Sequence, residues 1–295
     1  MTILFDIKSR IQTPDKIIYL FLLYFKKVVR FNFNISTKSK INLEKIDIVI
    51  PTIEKDFGLL GVVIDSINKN IEHPINNIYI ISKINTELIN FCKQKQIILV
   101  DEETILGYSK KNINYISNGI DRSGWLFQQL LKLGADKITE CENYLVIDSD
   151  TVLINKHCFL KNNKFILFES SEYHKKYFET YKKLLREDAR HNLSFISHMM
   201  LFNKDVLISL KNKIEESTNK KWDEAIIELI DNSDGSYFSE FETYGNFLVE
   251  QKDVKIIFAP FYNKHLKENI SMNYEELAKK YSNNYNSVSF HNYTT

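Results

Sequence analysis

From residue 46 onward the chain alternates short apolar runs with segments whose apolar positions recur every three or four residues. "KIDIVIPT" reads as a buried strand stopped by Pro51, "NNIYIIS" as a second and "IILVDEE" as a third, because unbroken apolar runs of this length suit strands covered on both faces. Between them, "GLLGVVIDSINKN" and "NTELINFCKQKQ" carry one apolar face at helical spacing. "DRSGWLFQQLLKLGADKIT" extends the series as a helix with Leu126, Leu130, Leu131 and Leu133 on its apolar side and a stop at Gly134. It leads into "ENYLVIDSDTVLI", an apolar strand that finishes in Asp148 and Asp150 before Val152, Leu153 and Ile154 resume. Further on, "LSFISHMMLF" predicts another central strand, with His198 inside it. Strand–helix alternation of this kind predicts an α/β fold around a largely parallel sheet.

Two carboxylates at a strand end are unusual inside an apolar run, and their position gives them chemistry. Open α/β sheets bind ligands beyond the carboxyl ends of their strands. Side chains alternate along a strand with period two, so Asp148 and Asp150 are expected on one side, where both can face one hard cation such as Mn²⁺ or Mg²⁺. A cation held this way keeps positions open for diphosphate oxygens. "LVIDSDTV" also fits the start of a haloacid-dehalogenase phosphatase, with Asp148 as nucleophile and Asp150 as acid/base. For that chemistry only Asp231 and Asp234 in "ELIDNSDG" stand by as later carboxylates, and about 100 residues of strand–helix alternation precede the motif. A non-catalytic carbohydrate-binding or scaffold protein is the third alternative.

Composition removes other classes. The chain has 295 residues, 44% of them hydrophobic, enough for a sizeable core. Cys92, Cys141 and Cys158 are too scattered for a disulfide framework or closed zinc site, which fits a reducing, cytoplasmic setting. A net charge of +1 with no basic stripe argues against nucleic-acid binding. Charge is uneven, however: residues 1–45 hold nine Lys or Arg against three Asp or Glu. Within them "TPDKIIYLFLLYFKKVVR" predicts a helix, with Thr13 as N-cap and Pro14 at the first turn, then Ile17, Phe21, Phe25 and Val28 at helical spacing. Its apolar stretch is far below the roughly 20 residues that span a bilayer, and no small-residue cleavage site follows it. Two roles stay open: a helix packed on the domain, or an interfacial helix at the anionic inner face of the cytoplasmic membrane. The expected organisation is thus a basic segment, 1–45, and a single domain, 46–295.

The ordered set "IDIVIPTIEKD", "RSGWLFQQLLKL", "YLVIDSDTVLI", "FSEFETYGNFL" and "VSFHNY" resembles the glycosyltransferase-A (GT-A) fold of nucleotide-diphospho-sugar transferases over roughly residues 46–293. More narrowly it resembles bacterial surface-polysaccharide glycosyltransferases (capsule, O-antigen, lipooligosaccharide), many grouped as a domain of unknown function. The resemblance implies metal-dependent transfer of a sugar from a nucleotide-sugar donor, a UDP-sugar first, to a hydroxyl of a glycan or lipid-linked glycan. It implies Asp150 as ligand of Mn²⁺ or Mg²⁺, Asp148 beside it on metal-bound water or ribose, and His291 completing the metal shell. Thr52 and Asp56 after the first strand, Arg122, Trp125 and one or both of Gln128 and Gln129 on the helix before the aspartates, and Ser149 between them become nucleotide-sugar contacts. Against these stand plain structural roles: a helix-start residue for Asp56, core packing for Trp125, a tail histidine for His291. His198 is either an acceptor contact or a hydrogen-bonded core histidine.

A catalytic base is expected at a later helix start, in "SYFSEFETYG". Ser239 and Glu242 have the spacing of a capping box, which gives Glu242 a structural task. Glu240 is then freer to face a cleft and take a proton from the acceptor hydroxyl, with inversion favoured and retention open. Both glutamates remain catalytic candidates.

Overall fold

The computed structural model describes residues 43–191, 193–267 and 273–290, together with Phe21. Its apolar runs form β1 (Ile46–Pro51), β2 (Ile75–Ser82) and β3 (Ile98–Asp101), separated by α1 (Phe57–Asn70) and α2 (Thr86–Lys95). A short helix α3 (Glu102–Leu106) and the hairpin β4 (Ile116–Ser117) and β5 (Ile120–Asp121) precede α4 (Ser123–Gly134), which delivers the chain to β6 (Asn143–Ile147). After the aspartate turn come β7 (Thr151–Leu153), β8 (Leu160–Lys161), β9 (Lys164–Glu169), α5 (Lys175–Leu185) and β10 (Met199–Asn203). The chain continues through α6 (Lys204–Thr218), α7 (Trp222–Leu229), α8 (Glu240–Val249), β11 (Lys255–Pro260), β12 (Asn263–His265), α9 (Tyr274–Tyr281) and β13 (Ser287–Ser289).

The central sheet has the order β10-β6-β1-β2-β3, parallel except for β10. This is the α/β fold, with a mostly parallel sheet, that the alternation predicts. Both faces are covered, and the period of two sorts the side chains between them. Ile48, Ile50, Leu145 and Ile147 join the apolar layer under α1, whereas Val49, Tyr144 and Val146 join the layer made with α4 and the helices α5 to α8. Strands β1 and β6 are buried along their whole length, which is why their sequences run apolar without a break. Helix α4 ends at Gly134, as predicted, but in ordinary helical backbone; a Cβ there would stand 2.7 Å from Ile105, so close packing requires the glycine.

Topology fixes where a ligand can enter. The chain adds β2 and β3 on one side of β1 and β6 on the other, so the switch point lies between β1 and β6. Strand β7 leaves this sheet and pairs antiparallel with β13, bringing the chain end back until Phe290 N donates to Asp150 O at 3.0 Å. The strand expected across "LSFISHMMLF" begins only at Met199; His198 precedes it with a left-handed φ of +59°. Of the predicted N-terminal helix only Phe21 is described, helical and exposed; the rest of that helix lies outside the described residues. No helix among the described residues is long and apolar enough to cross a membrane.

Candidate functional site

Parallel pairing of Val49 with Val146 brings the carboxyl ends of β1 and β6 out side by side. The loop after β1 and the turn after β6 then meet: Ser149 Oγ donates to Asp56 Oδ2 at 2.9 Å. Burial and the charge of Asp150 push the Asp56 carboxyl above its ordinary range, against the bond from Ser149. Thr52, at the end of β1, is buried and its Oγ1 has no hydrogen-bond partner. An orphan hydroxyl of this kind costs about 1–3 kcal/mol, a penalty that a bound polar group would remove. Thr52, Asp56, Ser149 and Asp150 thus all follow the carboxyl ends of β1 and β6, at the switch point.

Asp148 faces a different set of partners. Strand β10 lies antiparallel to β6, and its register sets His198 opposite Asp148, whose N–H donates to His198 O at 3.0 Å. His198 Nδ1 lies 3.2 Å from Asp148 Oδ2, and His198 Nε2 lies 3.4 Å from Glu172 Oε1. From α4, Lys132 donates to Asp148 Oδ1 and to Glu240 Oε1, each at 2.6 Å, and its ammonium lies 4.6 Å above the Phe241 ring. Gln129, three residues earlier on the same helix face, turns its side-chain amide to the Glu240 carboxylate.

Burial works against charge throughout this cluster; the pairing overrides it at Asp148, Lys132 and His198 but not at Glu240. Although burial would raise it, Lys132 and His198 hold the Asp148 carboxyl well below the usual range. Against the same penalty, Asp148 and Glu240 keep the Lys132 ammonium charged, and bonds to Asp148 and Glu172 raise His198 to about 10. For Glu240, burial pushes the carboxyl up while Lys132 pulls it down.

These contacts decide which residues suit a divalent cation. Both oxygens of Asp148 are engaged by cationic side chains, so the expected place of Asp148 in the metal shell does not fit. The physical reason is local: β6 ends at Ile147, and Thr151 N donates to Asp148 O at 3.1 Å, so the aspartates occupy a turn where strand alternation no longer applies. The charge of Asp150 acts on Asp56. Among the described residues no group of three His, Cys, Asp or Glu side chains is spaced to hold a metal ion. His291 follows Phe290, which is tied to Asp150, and itself lies outside the described residues.

Other expected residues have other partners. Arg122 Nε donates to Gly235 O at 2.8 Å and its guanidinium covers the Trp125 ring at 4.7 Å, so these two brace each other and the loop after α7. Gln128 is half-buried; Gln129 is the glutamine that turns to the charged cluster. Glu240 is fully buried, which corrects the expectation that it faces an open cleft. Ser239 caps α8 through Glu242 N at 3.2 Å, but the Glu242 carboxylate turns away from the cap. It accepts from Phe195 N at 3.1 Å and Asn246 Nδ2 at 3.2 Å, and burial pushes it up to about 8. Asp231 accepts from Ser233 N, and Asp234 accepts from Ser236 N and meets His174, so neither belongs to the Asp148 cluster.

Sequence reasoning passed over Lys132 and Glu172. Lys132 carried a signal, a lysine among leucines in "LLKLG", since lysine is almost never buried without an anionic partner. Glu172, 41% exposed on the loop after β9, carried none.

The structure is similar to that of the galactosyltransferase LgtC in complex with donor and acceptor sugar analogues, at 15% identity over 83% of this chain and 87% of that chain, with a TM-score of 0.44. An active-site mutant of LgtC shows 12% identity over the same shares, with a TM-score of 0.45. No curated protein matches the chain. Residues 43–287 match a family of unknown function, DUF6492, and the chain belongs to that family.

Proposed function

We propose that the protein is a GT-A glycosyltransferase that moves a sugar from a nucleotide-sugar donor, a UDP-sugar first, to a hydroxyl of a glycan or lipid-linked glycan acceptor. The observation that carries this proposal is the contact of Ser149 with Asp56, which joins the loop after β1 to the aspartate turn at the sheet's switch point. There Thr52 and Asp56 would bind the nucleotide base and ribose. Asp150, with His291 two positions beyond β13, would hold Mn²⁺ or Mg²⁺, which when bound neutralises the charge of a diphosphate leaving group.

The acceptor side is assigned to Glu172 and His198. With Glu240 sealed by Lys132 and Gln129, the exposed Glu172 carboxylate is the group that an acceptor hydroxyl can reach, and His198 orients it. Assembly of bacterial surface glycans on lipid carriers would place the enzyme at the inner face of the cytoplasmic membrane, with the basic segment 1–45 as its contact. The phosphatase alternative needs an Asp148 oxygen open to attack phosphorus, and both are held by cations. Thermal denaturation separates the readings. UDP together with Mn²⁺ should raise the melting temperature while inorganic phosphate or vanadate with Mg²⁺ does not; the reverse pattern overturns the transferase.

A further inference from the structure

We infer that the outer face of α5 is a binding track for the acceptor, and that the ligand it takes is an acidic glycan, a chain carrying carboxylate or phosphate groups. The track itself rests on the charges and geometry of α5; only its role as an acceptor site rests on the proposed transfer reaction.

Residues 46–295 carry five more acidic than basic residues, yet the stretch from Lys175 to Arg186 holds five basic residues against one acidic, Glu179. Helix α5 turns them to one side. Lys175, Lys182 and Arg186 follow one another at i, i+7 and i+11, with Lys176 and Lys183 beside them, a track of about 16 Å. Helix stability explains only part of this charge. The macrodipole favours Lys182 and Lys183 near the C-terminus, but it disfavours Lys175 and Lys176 in a first turn that holds no acidic residue. Arg186 closes the helix in left-handed backbone, φ +60°, where glycine or asparagine is the favoured residue. The cationic groups are held in place. Lys176 and Lys183 converge on the buried Tyr237 ring at 5.5 and 5.3 Å, and Lys183 Nζ donates to its hydroxyl at 2.9 Å. Lys175 and Lys176 share Glu179, and Lys182 meets Asp188; solvent-accessible pairs of this kind cost little to exchange for a ligand anion. Glu179, Lys182, Lys183 and Arg186 line an open depression of about 410 Å³, room for an anionic group of a bound chain. The track also leads to the acceptor side. Glu172 lies three residues before the first lysine, and Tyr173 stacks on Phe178 of α5 at 4.9 Å, which fastens the Glu172 loop to the start of the track.

Fluorescence anisotropy of labelled tetragalacturonate and labelled tetra(glycerol phosphate) with the full-length protein tests this, with labelled maltotetraose as the neutral control. At least one acidic probe should bind and the neutral one should not. Raising the ionic strength from about 0.02 to about 0.5 M should weaken that binding about tenfold or more. Lys175→Gln/Lys182→Gln/Arg186→Gln should weaken it about tenfold at low salt, with UDP binding and melting temperature near those of the wild type. Lys93→Gln/Lys95→Gln/Lys279→Gln, which neutralises three exposed lysines on other elements, should stay within about twofold of the wild type. Failure of both acidic probes to bind overturns the inference, as do equal losses in the two triple variants. A loss of co-sedimentation with anionic vesicles on neutralising α5, while the acidic probes bind unchanged, gives the face to a membrane and also overturns it. The transferase proposal fails separately: if the wild type binds an acidic probe through α5 but neither binds UDP with Mn²⁺ nor turns over a nucleotide sugar, the track stands and the reaction does not.

Discussion

Replacing Glu242 by glutamine should remove a pH dependence that the fold carries at the start of α8. The Glu242 carboxyl is 1% exposed and accepts from Phe195 N and Asn246 Nδ2, yet burial raises it from an ordinary 4.5 to about 8. Nearby, Asn246 Oδ1 is buried without a partner, so a hydrogen on this carboxyl, or an amide N–H from glutamine, has an acceptor to turn toward. The folded state therefore keeps a proton that the unfolded chain has released. Stability linked to this group is full below the unfolded pKa and is lost as pH rises toward the folded one, at about 1.4 kcal/mol per pH unit. Between pH 5 and 7.5 the loss amounts to about 3 kcal/mol. Glutamine keeps the shape and, through Oε1, the bond from Phe195 N, but has no proton to lose. Urea unfolding at several pH values should find Glu242→Gln equal to the wild type near pH 5 and more stable by about 3 kcal/mol near pH 8. Parallel pH profiles for the two proteins would refute the reasoning, because every other titrating group is common to both.

Lys132→Met should cost about 3–5 kcal/mol in urea unfolding at neutral pH, since it strands two buried carboxylates, and adding Glu240→Gln should recover part of the loss. Glu172→Gln should lower donor turnover by about 10²–10⁴ with little change in melting temperature, as expected for an exposed base; an unchanged rate would remove Glu172 from that role. Truncating residues 1–40 should abolish co-sedimentation with anionic vesicles while nucleotide binding persists, and retained co-sedimentation would take the membrane contact away from the basic segment.

The central elements were legible because burial on both faces leaves a strand such as β1 or β6 no freedom to be anything but apolar, and helices α1, α2 and α4 show one apolar face each. Strands β7, β8, β12 and β13 are two or three residues long, β9 and β11 are only partly buried, and much of their pairing depends on partners far along the chain, such as Ser287 against Leu153. That Asp56, Ser149 and Asp150 follow strand ends was legible because position after a strand end is a local property. The partners of Asp148 were not, because Lys132, His198 and Glu240 come from three separate elements brought together by sheet order. Helix-start spacing suggested a task for Glu242 that the structure gives to Ser239 alone, since the carboxylate finds better donors at Phe195 and Asn246. The positive φ of His198 has no sequence signature, although it sets the histidine beside Asp148.

The central claim is that a nucleotide-sugar binds at the switch point between β1 and β6 and is activated beside Asp150. Its most direct test is hydrolysis of a panel of nucleotide sugars in the presence of Mn²⁺, by the wild type and by Asp150→Ala. At least one UDP-sugar should be turned over by the wild type, and Asp150→Ala should lower that rate by about 10² or more while melting near the wild-type temperature. Full activity in Asp150→Ala, or no turnover of any nucleotide sugar by a wild type that also fails to bind UDP, would contradict it.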